Sequence, residues 1–217
     1  VTPLLITAFG PFPGMPRNPS AALARALGAA LRRRAGPAPR ILVLRTAYAS
    51  IPGALLPALA DQPAAVLMLG VASRAKRIRV EIRSRNRASR LYPDAAGRIS
   101  ARLDLDPDGP ASRCSAVAAQ AVAILRRHGL DARASNDAGR YLCNASYYAA
   151  LAVDAPVLFV HIPPVPRTAR PLSRATAQAA MGRQVRALAE LAGLMAVCGR
   201  RGRSVSFAKP AQRPRVR

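Results

Sequence analysis

Apolar residues enter this chain in short unbroken runs, separated by stretches where they recur every three or four positions. The runs Leu4–Ala8, Ile41–Thr46, Ala65–Gly70 and Val157–Val160 are too short for helices and show no polar alternation, which predicts strands buried on both faces. Asp131–Ser135 reads as a further short strand. Helices are expected between them. Asn18 suits an N-cap and Pro19 the first helical position of an Ala/Leu/Arg helix, and a short proline-containing helix covers Pro52–Ala60. Two more helices are expected at Tyr141–Val153 and Ser173–Ala192. Strand and helix alternating in this way predict an α/β fold: a three-layer α/β/α sandwich with a mostly parallel central sheet, in a single domain.

One region breaks the pattern. From Arg74 to Arg90, Ile78, Val80 and Ile82 alternate with Arg77, Arg79, Glu81 and Arg83, the period of a half-exposed strand with one apolar and one charged face. A polar loop, Pro93–Pro110, leads to Ala111–His128, where Cys114, Val117, Ala121 and Ile124 fall at helical spacing before Gly129. Cys114 is therefore expected in a helix core. Asn136–Gly139 reads as a turn.

Composition adds a constraint. Half of the residues (51%) are apolar but only 4% are aromatic, so a core of short aliphatic side chains is implied. The formal charge is +24, from 34 basic and 10 acidic residues, and Lys76 and Lys209 are the only lysines. Such arginine excess permits nucleic-acid affinity but also fits a solvated surface on a chain from a GC-rich genome, and the second reading is favoured. The segment after Gly199 holds basic residues, two prolines and no acid, so the folded domain is taken as residues 1–198 and residues 199–217 as a disordered basic tail. Three cysteines without a CxxC pair suggest neither a disulfide framework nor a zinc site, and no apolar run has membrane-spanning length. The chain is accordingly read as cytoplasmic, without a membrane segment, metal or cofactor.

Scarcity narrows the search for chemistry, because the chain has two His, two Glu and three Cys. His128 ends an amphipathic helix beside Arg126 and Arg127, where an imidazole is structural or solvated. His161 directly follows a buried strand, at the end where ligands gather in α/β sheets. Cys143 falls in the first turn of a helix, where the macrodipole and nearby cations favour thiolate, although a small buried hydrophobe would occupy the same place. Glu81 has two readings as well: partner to the surrounding arginines, or the carboxylate that orients His161. Spacing alone does not bring these three together. A basic nucleic-acid or polyanion binder on the same fold, with Arg74–Arg90 and the tail as its surface, is the alternative function.

Several segments, in order, resemble the pyroglutamyl peptidases of the type I cysteine class, or pyrrolidone-carboxylate peptidases. Phe9-Gly10-Pro11-Phe12 with Asn18-Pro19-Ser20 is similar to the family's GFGPF and NPS elements, and Asp108-Gly109-Pro110-Ala111 to its DGPA segment. Ser135-Asn136-Asp137-Ala138-Gly139 through Cys143-Asn144 resembles SNxAGxxxCN, the most specific stretch, and Val160-His161-Ile162-Pro163 the histidine block. Laid without gaps from Gly70, the acidic position falls on Glu81 and the downstream Asn on Asn86. The resemblance implies a Cys143–His161–Glu81 triad that removes N-terminal pyroglutamate from peptides through an acyl-thioester. It places Phe9, Phe12 and Val71 at the substrate ring, though the two phenylalanines also fit ordinary packing, and it implies a homo-oligomer, a tetramer in many relatives. Departures are visible. Val71 stands where many members have Gln, the ERVAxN run is Glu81-Ile82-Arg83-Ser84-Arg85-Asn86, and DARIPDN is Ser89-Arg90-Leu91-Tyr92-Pro93-Asp94-Ala95, with the family arginine shifted to Arg90 or absent. A divergent amidase acting on another lactam is the reading those changes leave open.

Overall fold

The computed structural model describes residues 3–12, 14–34, 36–164 and 173–206, with side chains through residue 201. In chain order the elements are β1 (Leu5–Phe9), α1 (Pro19–Arg32), β2 (Arg40–Leu44), a π-helical turn (Ile51–Leu55) running into α2 (Leu56–Ala60), β3 (Val66–Val71), β4 (Ile78–Glu81) and β5 (Arg83–Arg85). They continue with β6 (Ser112–Cys114), α3 (Ala118–Arg127), β7 (Ala132–Ser135), α4 (Leu142–Ala150), β8 (Val157–Ile162) and α5 (Arg174–Ser206). Six strands form one sheet in the order β2-β1-β3-β8-β4-β7, and β5 pairs with β6 outside it. β2, β1, β3 and β8 are mutually parallel; β4 joins β8 antiparallel and β7 runs parallel to β4. The sheet is thus mostly parallel and layered with helices, as the alternation of runs implied.

The period-two geometry of strands sorts the sheet into two faces. One face carries Ile6, Ala8, Leu67, Leu69, Leu158, Val160, Ile78 and Val80 and is covered by α1, α3 and α5 in the larger aliphatic core. The other carries Phe9, Met68, Phe159 and Tyr147 of α4, together with Leu55, Ala58 and Leu59. α1 starts as expected: Asn18 Oδ1 accepts the Ser20 N–H at 3.1 Å, and Pro19 opens the helix.

Four expectations need correction. The Arg74–Arg90 strand is two short strands, because at Ile82 the chain leaves the main sheet: the Ile82 N–H bonds Ser135 O while Ile82 O accepts from Ser115. Residues 112–114 pair with β5 as a strand, so the helix expected from Ala111 begins at Ala118, and Cys114 is exposed and not a core residue. Glu81 does not lie on a solvated face; it is fully buried, because α4 covers that side of β4. Finally, α5 extends 33 residues through Ser206, past both the expected end at Ala192 and the expected boundary at 198/199. A Cβ on Gly199 would stand 1.8 Å from Ala64 O, so α5 crosses residue 199 in close backbone contact with the body of the fold. Residues 207–217 of the expected tail lie outside the described residues.

Candidate active site

His161 sits within β8, not in the loop beyond it, and is 4% exposed. It shares the α4 face of the sheet with Phe159, whose ring centroid is 4.6 Å away. On one side the register pairs it with Gly70, where an added Cβ would lie 2.7 Å from Phe159 Cζ and 3.2 Å from His161 Cδ2. The missing side chain there makes room for both rings. On the other side the antiparallel register sets Arg79 opposite His161 and Glu81 opposite Phe159, so Glu81 is a diagonal neighbour of His161. His161 Nδ1 and Glu81 Oε1 are 2.8 Å apart. Glu81 Oε2 is buried without a hydrogen-bond partner among the described residues, so the carboxylate engages the imidazole through one oxygen.

Cys143 comes from the opposite layer, in the first turn of α4, and is half-buried. It lines the same cleft as His161. With Nδ1 held by Glu81, the nitrogen available to the sulfur is Nε2. Burial alone would push His161 down, but the hydrogen bonds to Cys143 and Glu81, and their negative charges, outweigh it and raise the imidazole to about 9 from its ordinary 6.5.

The approach to α4 is built by the SNxAGxxxCN-like segment. The Asp137 N–H bonds Ser135 Oγ at 3.3 Å, the Gly139 N–H bonds Asp137 Oδ1 at 3.1 Å, and Gly139 adopts φ +84°, a conformation costly for residues with a Cβ. The first intrahelical bond of α4 runs from Ala145 N–H to Tyr141 O, so the N–H groups of Leu142, Cys143 and Asn144 have no intrahelical acceptor and face the positive end of the helix. Asn144, fully buried, clamps the helix to β5 and the chain after it: its Nδ2 donates to Arg85 O and Arg87 O, and its Oδ1 accepts the Arg85 N–H. Asn86 holds the 106–109 loop in the same manner.

Cys143 lines two clefts. The smaller, of about 150 Å³, is lined by Phe9, Phe12, Val71, Leu142 and Cys143, with Asn18, Thr46, Ser73 and Tyr141 completing it. The larger, of about 560 Å³, shares Val71, Ser73, Tyr141 and Cys143 and adds His161 and a group of cationic residues. Of the six expected site residues, Phe9, Phe12, Val71 and Cys143 line the smaller cleft, Val71, Cys143 and His161 the larger, and Glu81 lies buried behind His161. Sequence reasoning missed Arg79, which bonds Ser135 Oγ through Nη2 (2.7 Å) and reaches Glu81 Oε1 at 3.4 Å. Its position two residues before Glu81, on the same strand face, was the available signal. It also missed Tyr141, whose hydroxyl donates to Pro93 O and whose ring meets Tyr48 edge-on at 5.9 Å. Arg90 is exposed and lines neither cleft. Among the described residues no His, Cys, Asp and Glu side chains gather into a metal site, and no helix is long and apolar enough to cross a membrane.

A thiol beside an imidazole held by a carboxyl group, on interior strands of a mostly parallel sheet, defines the class of α/β proteins equipped for cysteine-based acyl transfer. Known proteins narrow the class. The sequence pattern of the pyroglutamyl peptidases matches residues 2–194. A pyrrolidone-carboxylate peptidase of Streptomyces coelicolor is 35% identical over 174 residues, 76% of this chain and 80% of that protein. The crystal structure of pyrrolidone carboxyl peptidase from Thermus thermophilus superposes with TM-score 0.73 at 31% identity, covering 86% of this chain and 98% of that one. Pyroglutamyl peptidase I of Bacillus amyloliquefaciens superposes with TM-score 0.74 at 25% identity, covering 91% and 98%. The chain belongs to the pyroglutamyl peptidase family.

Proposed function

We propose that this enzyme hydrolyses the amide bond after an N-terminal pyroglutamyl residue, with Cys143 as nucleophile, His161 as base and then acid, and Glu81 as the group that orients His161. The observation that carries the proposal is that Cys143 shares a cleft with His161, whose Nδ1 is held by Glu81, and also lines a small apolar cleft. A pyroglutamyl ring is a neutral lactam without a free amine, and Phe9, Phe12 and Val71 supply walls of that character.

With the ring in the small cleft, the Cys143 sulfur attacks the scissile carbonyl carbon while its proton is held on His161 Nε2. The tetrahedral oxyanion is received by the N–H groups at the start of α4 that have no intrahelical acceptor. Collapse breaks the C–N bond, Nε2 returns its proton to the leaving amine, and a pyroglutamyl thioester remains on Cys143. Water, deprotonated by His161, attacks the thioester carbonyl, releasing pyroglutamate and the thiol. Throughout, Glu81 holds Nδ1–H and stabilises imidazolium. The same reading puts the enzyme in a reducing cytoplasm, where Cys143 stays reduced, and takes it as a homo-oligomer of the kind the family resemblance implies.

The test is a fluorogenic pyroglutamyl coumarylamide. Turnover by the wild type, abolished by a thiol alkylator and by Cys143→Ala, is the expected result. Equal turnover of the free-glutamyl coumarylamide would reject lactam recognition, and full activity in Cys143→Ala would reject the nucleophile.

A further inference from the structure

The two clefts differ in which of them contains His161. Only the larger is lined by the imidazole that must protonate the departing amine. If the ring occupies the small cleft and the scissile carbonyl lies at Cys143, the leaving peptide runs into the larger one. That cleft is strongly cationic: Arg74, Lys76, Arg77, Arg79 and Arg133 line it against a single acid, Asp137.

These cations are not equally committed. Arg79 is engaged with Ser135, Asp137 O and Glu81, and Arg77 stands 3.5 Å from Asp131. Arg74, Lys76 and Arg133 are exposed, with no ion pair among the described residues. They come from the β3–β4 connection and from β7, so they face the cleft from two elements. Cations on two walls, beside one acid, create a field that raises the local concentration of anionic segments and lowers that of cationic ones.

We propose that Arg74, Lys76 and Arg133 select substrates with Asp or Glu in the first positions after the pyroglutamyl residue. This rests on the peptidase reading and adds the chemical class of the leaving peptide. Phe9, Phe12 and Val71 choose the ring; the basic cleft chooses the residues on its carboxyl side. The side chains are exposed, so the preference is expressed mainly in KM and association and weakens as salt shortens the range of the field.

The experiment compares kcat/KM for pyroglutamyl-Asp-Asp-Ala, pyroglutamyl-Ala-Ala-Ala and pyroglutamyl-Lys-Lys-Ala amides at low and high salt, with the coumarylamide as the measure of the parent activity. The expected result is an acidic-over-neutral ratio of about tenfold at low salt, shrinking toward one near 0.5 M salt, with the lysine peptide poorest. In Arg74→Glu/Arg133→Glu the order of the acidic and lysine peptides inverts; a ratio within one variant cancels any loss of folded enzyme. Ratios within twofold of one at low salt, unmoved by the charge reversal, would overturn the inference while coumarylamide turnover leaves the parent reading standing.

A second arm needs no catalysis. Fluorescence anisotropy of labelled Asp-Asp-Ala and Lys-Lys-Ala on the whole protein should show tighter binding of the acidic peptide, lost in the charge-reversed variant. Equal binding of the two overturns the assignment even if no pyroglutamyl substrate is turned over, the result that would defeat the peptidase reading. Displacement of the acidic peptide by a single-stranded oligonucleotide at far lower concentration than by Asp-Asp-Ala would overturn it in favour of a nucleic-acid surface.

Discussion

The sheet divides into two halves built from opposite materials. In β2, β1 and β3 nearly every inward side chain is aliphatic, and Leu5, Ile6, Leu67, Met68 and Leu69 are at most 1% exposed. In β8 and β4 one face continues that core through Leu158, Val160, Ile78 and Val80, while the other buries His161 and Glu81 beside Arg79. The aliphatic half gains stability from area removed from water and tolerates any packing that fills the volume. The polar half must meet angular and distance requirements as well, since a buried carboxylate without its partners is strongly destabilising. The pair β4/β7, running against the other strands, is what sets Glu81 diagonal to His161. One half thus supplies a rigid floor, and the other devotes part of its packing to a charged network held against that floor.

The sharpest way to separate the halves is Glu81→Gln. It keeps the shape but removes the charge facing His161, and kcat/KM for a pyroglutamyl amide should fall roughly 10³-fold; a fall under tenfold would show that Glu81 serves the arginines and not the imidazole. Leu67→Ala, in the other half, should lower stability by about 2–5 kcal/mol in denaturant unfolding while kcat per folded molecule stays within about twofold. A parallel loss of kcat would mean that the floor is part of the chemistry. Gly70→Ala crosses the boundary. Its Cβ would press on the Phe159 ring and stand 3.2 Å from His161 Cδ2, so activity should drop about 10²-fold, with a smaller loss of melting temperature.

A pH titration reads the polar half directly. His161 is raised from 6.5 to about 9, so the imidazole loses the proton it gives to the leaving amine, and kcat/KM its plateau, as pH rises through about 9. Glu81→Gln removes one cause of the raise, and the alkaline limb should move to lower pH. The sign for stability is the same: the contribution of protonated His161 is complete below 6.5 and disappears as pH rises through about 9. An alkaline limb that does not respond to Glu81→Gln would show that another group sets it. The smallest effect expected is that of Asn18→Ala, which removes the α1 cap and the Nδ2 bond to Gly10 O and should cost about 1 kcal/mol in thermal unfolding.

The aliphatic half was legible in the sequence because short unbroken runs such as Ala65–Gly70 have few other places to go. Asn18-Pro19 marked α1 by local chemistry alone. Cys143 and His161 were legible through scarcity and position at element ends, and the family motifs named the same residues. The region from Arg74 to Cys114 was not. Its alternation predicted one exposed strand, yet tertiary contacts divide it at Ile82 and give 112–114 to β5.

What the chain determined by itself was local: which runs must be buried, where a helix begins, and which few side chains can do chemistry. Only the folded structure decided that Glu81 is buried, that Arg79 joins it to Ser135, and that two clefts of unlike character share Cys143. The reason is physical. Hydrophobic period and capping act over a few residues and are written in sequence order, whereas charge networks and clefts depend on strand register and layer contact between segments roughly 60 to 80 residues apart, such as Glu81 with His161 and Arg85 with Asn144.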